Sequence, residues 1–278
     1  MIAELPTAGP VQVHPPAQPK AAPNPIETLK KTVSASRLNC FLTCRLKFFF
    51  RYVEQVIKPP TPSLHLGSVV HLVLKAWNMC RWKKQAFELS RFKMMFDACW
   101  ADQPAKINWQ DEEEDQKTCA WSLLDVYFAD TPIKANEMPE AVEVPMEMDL
   151  AKHGLPTLIG ILDLVRAGGR IVDFKTASKT PSPEDALHQN EVQLSCYSVL
   201  YREAAGKMET ARELHHLVKT KTPKLIITSL EPMNQAQQVR LFRMMDSYQE
   251  GVAREDFVPS PGFHCGACEY FNECRKWA

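Results

Sequence analysis

The sequence lacks an excess of charge of either sign and any long hydrophobic run. Its 278 residues include 33 basic and 33 acidic side chains, so the formal net charge is zero. This balance excludes a uniformly basic, histone-like protein and an acidic disordered chain, but it leaves room for a local basic groove that binds nucleic acid. The longest nearly apolar stretch, residues 64–74, contains two histidines and is far shorter than the ~20 residues of a membrane span.

The sequence also lacks two features of secreted proteins. Its first residues have neither the cationic start nor the apolar stretch of a secretory signal. Its cysteines number nine, and an odd count in a chain of this length disfavours a disulfide framework. We therefore expect a cytoplasmic protein without a membrane partner, whose clustered thiols hold a metal.

Composition divides the chain into two parts. Residues 1–30 contain seven of the 21 prolines and too few apolar groups to offset the entropy lost on ordering. We predict that they form a disordered Pro/Ala-rich tail. Residues 31–278 contain no internal repeat and no further linker, so we expect a single domain that includes the cysteine-rich segment 264–274.

Hydrophobic periodicity predicts a mixed α/β domain. Apolar residues at helical spacing indicate helices over residues 34–52, 65–80, 84–100, 112–129, 182–205 and 234–253. Alternating or continuous apolar runs indicate strands over residues 142–150, 158–165, 170–174, 214–219 and 224–230. Hairpins followed by a crossover helix and more strand favour a mixed central sheet flanked by helices.

Two aspartates in neighbouring predicted strands form the first candidate site. Asp163 and Asp173 each lie in an apolar strand, and Lys175 follows two residues after Asp173. Ionised carboxylates are costly in apolar strands unless something compensates their charge. Alternation along the strand places Asp173 and Lys175 on the same face of the sheet.

The loop between these strands decides whether the two aspartates meet. A three-residue loop, residues 167–169, sets Asp163 directly opposite Asp173, whereas a two-residue turn at 168–169 would set them on opposite faces. We expect the three-residue loop or a compensating bulge. Facing carboxylates suit Mg²⁺ or Mn²⁺, and a neighbouring lysine can activate water and offset charge on a phosphate. The alternative is a surface hairpin whose Asp–Lys pair has no function.

Two predicted helices could complete such a site. Gly67 and His71 lie one turn apart on one face, where the glycine permits close approach and the imidazole could bind a metal. Gln193, Tyr197 and Tyr201 share a face of the crossover helix and could contact a phosphate backbone or a base. A structural histidine and an ordinary amphipathic boundary are the alternative interpretations.

The segment 264–274 contains three closely spaced cysteines. Cys265, Cys268 and Cys274 follow a C-x2-C-x5-C pattern, which supplies three thiolates and leaves a four-ligand site one ligand short. By chemistry alone, zinc and an iron–sulfur cluster are both admissible. Zinc could take His264 or Cys44 as its fourth ligand. Unrelated free thiols are a further alternative.

Taken together, the motifs resemble those of the RecB-family nucleases of the PD-(D/E)XK superfamily. They occur in the family's order and span most of residues 33–275. The matching pieces are residues 38–52 with Cys44, Gly67…His71, Gly160-x-x-Asp163, Asp173-x-Lys175-Thr176 and Gln193-x-x-x-Tyr197. Leu162 replaces the proline that names the superfamily, and Asp173 stands where many members have glutamate.

The resemblance implies a restriction-endonuclease-like core with a divalent ion at the hairpin. His71, Asp163 and Asp173 would bind this ion, the Phe174 carbonyl could add a ligand, and Lys175 would serve catalysis. We expect the cofactor to be Mg²⁺ or Mn²⁺.

Other residues would contact the DNA. The resemblance implies that Gln193 and Tyr197 support the active site and the substrate. Arg37, Arg45 and Lys47 make the first predicted helix locally basic, so they could line a phosphate-binding groove.

The resemblance extends to the thiols. In the iron–sulfur branch of the family, which includes AddB-type subunits and the exonucleases of CRISPR adaptation, one early cysteine joins three late ones. This implies a [4Fe–4S] cluster, with Zn²⁺ as the alternative, on Cys44, Cys265, Cys268 and Cys274. Cys40 is the rival for the first position. Such a cluster would clip the two ends of the domain together.

These features predict a metal-dependent DNA exonuclease that acts on single-stranded or frayed ends in recombination, repair or DNA processing. The sequence contains no Gly-x4-Gly-Lys-[Ser/Thr] phosphate loop, so duplex opening would need a helicase or recombination partner. The alternative is a catalytically silent, nuclease-like subunit that binds DNA or acts as a scaffold.

Overall fold

The computed structural model describes residues 24–103 and 106–277. Helix α1 (Pro25–Lys31) begins inside the segment that composition assigned to the tail, so the prediction of disorder up to residue 30 is wrong for residues 25–30. The Asn24 side chain caps this helix, and Ile26 and Leu29 are buried. The whole segment is rich in proline, so its composition does not reveal the short apolar pair Ile26 and Leu29. The rest of the predicted tail, residues 1–23, lies outside the described residues.

A mixed six-stranded sheet forms the centre of the molecule, as predicted. Its strands are β1 (Thr32–Val33), β2 (Ala141–Met148), β3 (Thr157–Arg166), β4 (Arg170–Ala177), β5 (Ala211–Val218) and β6 (Lys224–Leu230). Antiparallel pairing joins β2 to β3, β3 to β4 and β5 to β6, while β4 and β5 are parallel and β1 adds a short parallel pair to β3.

Helices cover both faces of the sheet. They are α2 (Ala35–Thr43), α3 (Arg45–Phe48), α4 (Pro62–Trp82), α5 (Leu89–Ala101), α6 (Glu113–Asp130), α7 (Pro183–Ala205), α8 (Gln235–Ala253) and α9 (Phe271–Cys274). One core cluster lies between the sheet and α2, α7 and α8, and a second lies between the sheet and α4, α5 and α6. Within residues 24–103 and 106–277, no helix combines the length and apolarity required to cross a bilayer.

The crossover helix α7 shows how local sequence fixes an element. The Ser182 hydroxyl accepts a hydrogen bond from the Asp185 N–H, Pro183 occupies the first turn, and Gly206 ends the helix at φ 63°. These are the capping residues expected at a helix start and at a left-handed helix end. Because α7 links two parallel strands, it lies across the sheet face that carries Asp173.

The predicted helix 34–52 is interrupted. Helix α2 ends at Thr43, Cys44 is extended at φ −161° and ψ 113°, and α3 starts again at Arg45 before a π-helical turn over Phe49–Val53. The N–H of Leu46 donates to the carbonyl of Val258, so a distant segment of chain binds at the break. The apolar periodicity alone did not indicate this long-range contact.

Candidate active site

The β3–β4 hairpin has the register that brings the two aspartates together. Arg166 pairs with Arg170 and Leu164 with Val172, which leaves the predicted three-residue loop, residues 167–169. Continuing this register sets Asp163 opposite Asp173. The regular ladder stops there, because a carboxylate oxygen of Asp163 (Oδ2) accepts the N–H of Phe174 at 3.1 Å.

Asp173 is the most enclosed member of the site, with 1% of its surface exposed. Its Oδ1 accepts a hydrogen bond from Gln193 Nε2 at 2.8 Å, and the Lys175 ammonium lies 2.8 Å from its Oδ2. Oδ2 is buried against this ammonium. A carboxylate oxygen has two lone pairs, so it can accept this ion pair and still bind a hard cation.

Helix α7 holds the lysine through a glutamine. Lys175 Nζ donates to Gln193 Oε1 at 2.7 Å, while Gln193 Nε2 also lies 2.8 Å from the Tyr197 hydroxyl. The amide of Gln193 therefore contacts Asp173, Lys175 and Tyr197 at once. Gln193 and Tyr197 can make this contact because residues four apart lie one turn apart on the same face of a helix.

His71 approaches Asp163 from helix α4 on the other side of the hairpin. Its Nδ1 lies 3.6 Å from Asp163 Oδ2. Burial lowers the pKa of His71, so its neutral form, which can offer a lone pair to a metal, is favoured. Gly67, one turn earlier, permits the close approach of α4, since a Cβ there would lie 3.2 Å from Thr176 Oγ1.

Asp163 is the titratable group most affected by this arrangement. Burial, together with the nearby charge of Asp173, raises the pKa of Asp163 to about 8. Two buried carboxylates on facing positions of a hairpin resist ionising together. The pair therefore retains a proton near neutral pH when nothing else compensates its charge. A divalent cation is the natural compensating charge.

The donor set fits Mg²⁺ or Mn²⁺. It offers carboxylate oxygens from Asp163 and Asp173, including the buried Oδ2 of Asp173, and a neutral imidazole from His71. The carboxylate oxygens match the preferences of both ions, and the imidazole nitrogen can complete the set. Across the described part of the chain, however, no three His, Cys, Asp or Glu side chains are already grouped as closely as a bound ion would draw them.

Glu143 is a site residue that the sequence did not reveal. The β2–β3 register places it opposite Asp163, and its backbone has a φ of 50°, which is unusual for a non-glycine residue. Its carboxylate lies 3.7 Å from Lys75 and lines the same cleft as His71. Its charge also contributes to the raised pKa of Asp163, after burial and Asp173.

The backbone at Glu143 also divides the apolar residues of β2 between two cores. Strict alternation, as over residues 142–150, is typical of a strand with one apolar face. Instead, Val142 packs in the core against α4, α5 and α6, whereas Val144 and Met146 pack in the other core. The strand changes face at Glu143, and period-two alternation cannot show such a change.

His216 is a second residue that sequence reasoning missed. It pairs with Lys175 across the parallel β4–β5 ladder and so lies beside the lysine on one sheet face. Its side chain is buried, and its Nδ1 has no hydrogen-bond partner among residues 24–103 and 106–277. Burial and the charge of Lys175 lower the pKa of His216, which favours a neutral ring.

Two open clefts meet at the site. The first, of about 640 Å³, lies along α4 and includes His71, Asp163 and Lys175. The second, of about 730 Å³, lies towards α2 and α7 and includes Gln193 and Tyr197. The site is therefore open to a chain-like substrate along two directions.

The residues predicted to line a phosphate groove are placed differently. Arg45 forms an ion pair with Asp256, and Lys47 lies 3.0 Å from Glu269, so both bind the C-terminal part of the chain. Arg37 donates to Thr32 Oγ1 at 2.9 Å and remains half-buried. The predicted helix 34–52 does carry basic side chains, but acids from a distant segment pair with Arg45 and Lys47 and neutralise much of its charge.

The four predicted cluster thiols do share one place in the fold. A cavity of about 50 Å³ is lined by Cys44, Cys265, Cys268 and Cys274, together with His264. Burial raises the pKa of Cys274, and the other three thiols add to this rise. Cys40 is buried in the core between the sheet and α8 and does not line the cavity. The thiol set fits a four-ligand centre in its chemistry, although the described side chains are not drawn together as a metal group.

Comparison with known proteins agrees with this geometry. A family model described as the PD-(D/E)XK nuclease superfamily matches residues 32–275. The chain therefore belongs to the PD-(D/E)XK nuclease superfamily, as its motifs predicted. No curated protein is significantly similar to it in sequence.

Solved structures resemble it in fold. The crystal structure of a candidate exonuclease from Eubacterium rectale superposes with a TM-score of 0.62 at 15% identity, covering 91% of this chain and 90% of that one. At this identity the match shows a shared fold. The structure of the protein SSO0001 aligns with a TM-score of 0.34 at 14% identity over 89% and 94% of the two chains.

Proposed function

We propose that this protein is a Mg²⁺- or Mn²⁺-dependent DNA exonuclease that acts on single-stranded or frayed ends in recombination, repair or DNA processing. The observation that carries the proposal is the enclosed carboxylate of Asp173. It lies against Lys175 and Gln193, Asp163 is opposite it in the hairpin, and His71 approaches Asp163 from α4. The complete set of acids, lysine and glutamine disfavours a silent scaffold.

Four groups would hold the divalent ion: the side chains of His71, Asp163 and Asp173 and the carbonyl of Phe174. When bound, the ion would supply Lewis-acid polarisation of the phosphate and lower the pKa of a water. The carboxylates of Asp163 and Asp173 also restrict where an anionic phosphate can lie, because they repel it from every position except the one that a cation screens.

Lys175 performs the remaining chemistry. Its ammonium can orient the attacking water by hydrogen bonding and stabilise negative charge that develops on the phosphate oxygens. Gln193 accepts a hydrogen bond from this ammonium at 2.7 Å and thereby fixes its position without cancelling its charge. His216 lies beside Lys175 in the sheet, and its lowered pKa favours a neutral ring that does not repel the ammonium.

The test is a metal-dependence assay on defined ends. End-labelled single strands, blunt duplexes and closed circular DNA would be incubated with protein in EDTA, Mg²⁺ or Mn²⁺. We expect stepwise shortening of the single strand with either ion, little cutting of the circle, and none in EDTA. Cleavage in EDTA at the same rate, or no cleavage with any ion, would contradict the proposal.

We further propose that Cys44, Cys265, Cys268 and Cys274 hold a [4Fe–4S] cluster with a structural role, as in the iron–sulfur branch of the RecB family that the motifs resemble. The shared cavity of these thiols supports the assignment. Anaerobic purification followed by iron, sulfide and zinc analysis tests it. About four irons per chain with visible absorbance are expected. One zinc and no iron would identify the alternative metal.

A further inference from the structure

Three large aliphatic side chains remain half-exposed around the charged site. Leu64 is 59% exposed, Leu72 45% and Ile161 51%. All three line the cleft that contains His71 and Lys175. Half-exposed aliphatic residues are common singly, but a group of them around one catalytic cleft marks a contact surface.

Helix α4 presents these groups in order. Leu64 and Leu72 lie two turns apart on one stripe, separated by Ser68, whose hydroxyl bonds back to the Leu64 carbonyl. The neighbouring stripe of the same helix carries His71 and Lys75, which also line the cleft. An apolar row therefore runs beside a polar row along one groove.

Ile161 closes the apolar row from the sheet. It lies on β3 two residues before Asp163, and it lines both clefts, so it forms the wall between them. On its far side lie Gln193 and Tyr197 of α7. A substrate that crosses from one cleft to the other must pass over this side chain.

The chemistry of the two rows identifies the occupant. The polar row suits an anion next to the proposed metal ligands, while the apolar row gains free energy only from an apolar partner. A single nucleic-acid strand offers both, because a flat base is attached to the sugar next to each phosphate. In a duplex the base faces are already stacked against each other and are not available.

We propose that Leu64, Leu72 and Ile161 form a nucleobase-binding rim that contacts unstacked bases next to the cleaved phosphate. The proposal rests on the proposed function, since it assigns the base-contacting part of that same site. It makes the aliphatic rim the feature that selects a single strand over a duplex.

The test compares binding of a strand that has bases with binding of a strand that lacks them. Affinity would be measured by fluorescence anisotropy in an Asp173→Ala background, which prevents cleavage, for an oligothymidylate and for an abasic strand of equal length and charge. Alanine at Leu64, Leu72 or Ile161 should weaken oligothymidylate binding about fivefold each and about a hundredfold together, because each removes an apolar contact of partial burial. Binding of the abasic strand should stay within about twofold of the parent, because phosphate contacts remain.

A matched control is Leu89→Ala, a 48% exposed leucine on α5 that lines neither cleft, which should change nothing. An equal loss on both strands, or no loss on either, would overturn the proposal. So would a change of oligomeric state without a change in DNA affinity, since the rim would then contact protein. Ile161→Gln keeps the test available if the triple variant is unstable.

Failure of the proposed function would look different. Wild-type protein would bind both strands but cut neither with Mg²⁺ or Mn²⁺, and the base dependence of binding would still be measured independently.

Discussion

The acid hairpin and the cysteine-lined cavity are both candidate metal sites, but different parts of the fold bring their residues together. Asp163 and Asp173 lie in adjacent strands, so a three-residue loop and a ladder register decide where they meet. Cys44 comes from near the start of the described chain and Cys274 from near its end. Their meeting depends on contacts between distant segments.

Those distant contacts combine ion pairs with a small apolar cluster in which Leu46 and Phe50 pack against Tyr270. Arg45 pairs with Asp256, and Lys47 and Arg51 both pair with Glu269. The Tyr270 hydroxyl adds a hydrogen bond to the Val56 carbonyl at 3.0 Å. Partly exposed ion pairs of this kind contribute little each. The sheet itself therefore orders the hairpin, whereas side-chain contacts between distant segments order the cysteine end, where a bound cluster would add a further link.

The sharpest way to separate the two regions is to disable the hairpin alone. We expect Asp173→Asn or Lys175→Ala to lower the rate of DNA cleavage by ~10³-fold or more, because each removes transition-state stabilisation. Iron content and the circular-dichroism spectrum should stay close to wild type. Single-turnover digestion of end-labelled DNA measures the effect, with Lys179→Ala, an exposed lysine beyond β4, as control. Normal cleavage by either variant would show that the centre is misassigned.

The converse experiment disables the cysteine end. Cys268→Ser should abolish iron binding and lower the free energy of unfolding by about 3 kcal/mol, since metal binding contributes to folding and closes a long loop. This corresponds to a fall of about 6–12 °C in melting temperature. Cleavage per folded molecule should be retained. Cys119→Ser, at a half-buried position on α6, is the matched control, and a variant that keeps its iron would refute the assignment.

A third change tests how far α7 orders the hairpin. Gln193→Ala removes the acceptor of Lys175 and the donor to Asp173, so we expect kcat to fall about 10- to 100-fold, the usual effect of losing a residue that orients a functional group. KM for DNA should change less. Steady-state kinetics at several metal concentrations measure the two constants. An increase in KM with an unchanged kcat would instead indicate a role in substrate binding.

Glu143→Gln asks whether the third acid belongs to the hairpin site. Removing its negative charge should weaken Mn²⁺ binding about three- to tenfold, because the carboxylate lies opposite Asp163 across the β2–β3 pair. Calorimetric titration of metal into the protein measures this directly. Glu147→Gln on the same strand, which lines the other cleft, should leave the affinity unchanged. Equal effects of both substitutions would indicate that Mn²⁺ affinity depends on the overall negative charge of the protein and not on the position of Glu143.

The smallest expected effect is a pH dependence confined to the hairpin. The pKa of Asp163 is raised to about 8 from an ordinary 3.8, so the metal-free folded state binds more protons than the unfolded state between these values. Its stability should therefore fall as pH rises from about 4 to about 8 and then level off. Asp163→Asn should melt higher than wild type in EDTA, with a difference that grows up to about pH 8. A difference that is constant with pH would contradict the raised pKa.

Much of the hairpin could be predicted from sequence because its determinants are local. Loop length fixed the register of Asp163 and Asp173, and capping residues fixed the ends of α7. The family's motif order then indicated which helix faces would meet the sheet.

What escaped prediction depends on contacts far apart in the chain. The break at Cys44 occurs where residue 258 binds the backbone of Leu46, and the basic residues of α3 are paired with acids more than 200 positions away. Glu143 lies in a strand whose change of face leaves no mark on its alternation. Each of these features requires knowing which segments are neighbours in space, and no short pattern contains that information.

The turn at Gly168 has one more consequence, for how this gene can change. Because side chains alternate across a sheet, a slip of one residue in the β3–β4 register would turn Asp173 away from Asp163 and expose the core side chains of β4. The turn opposes such a slip, because Gly168 and Gly169 adopt positive φ angles that other residues rarely adopt. Changes in the length of this turn should therefore survive only where the pair Arg166–Arg170 is kept.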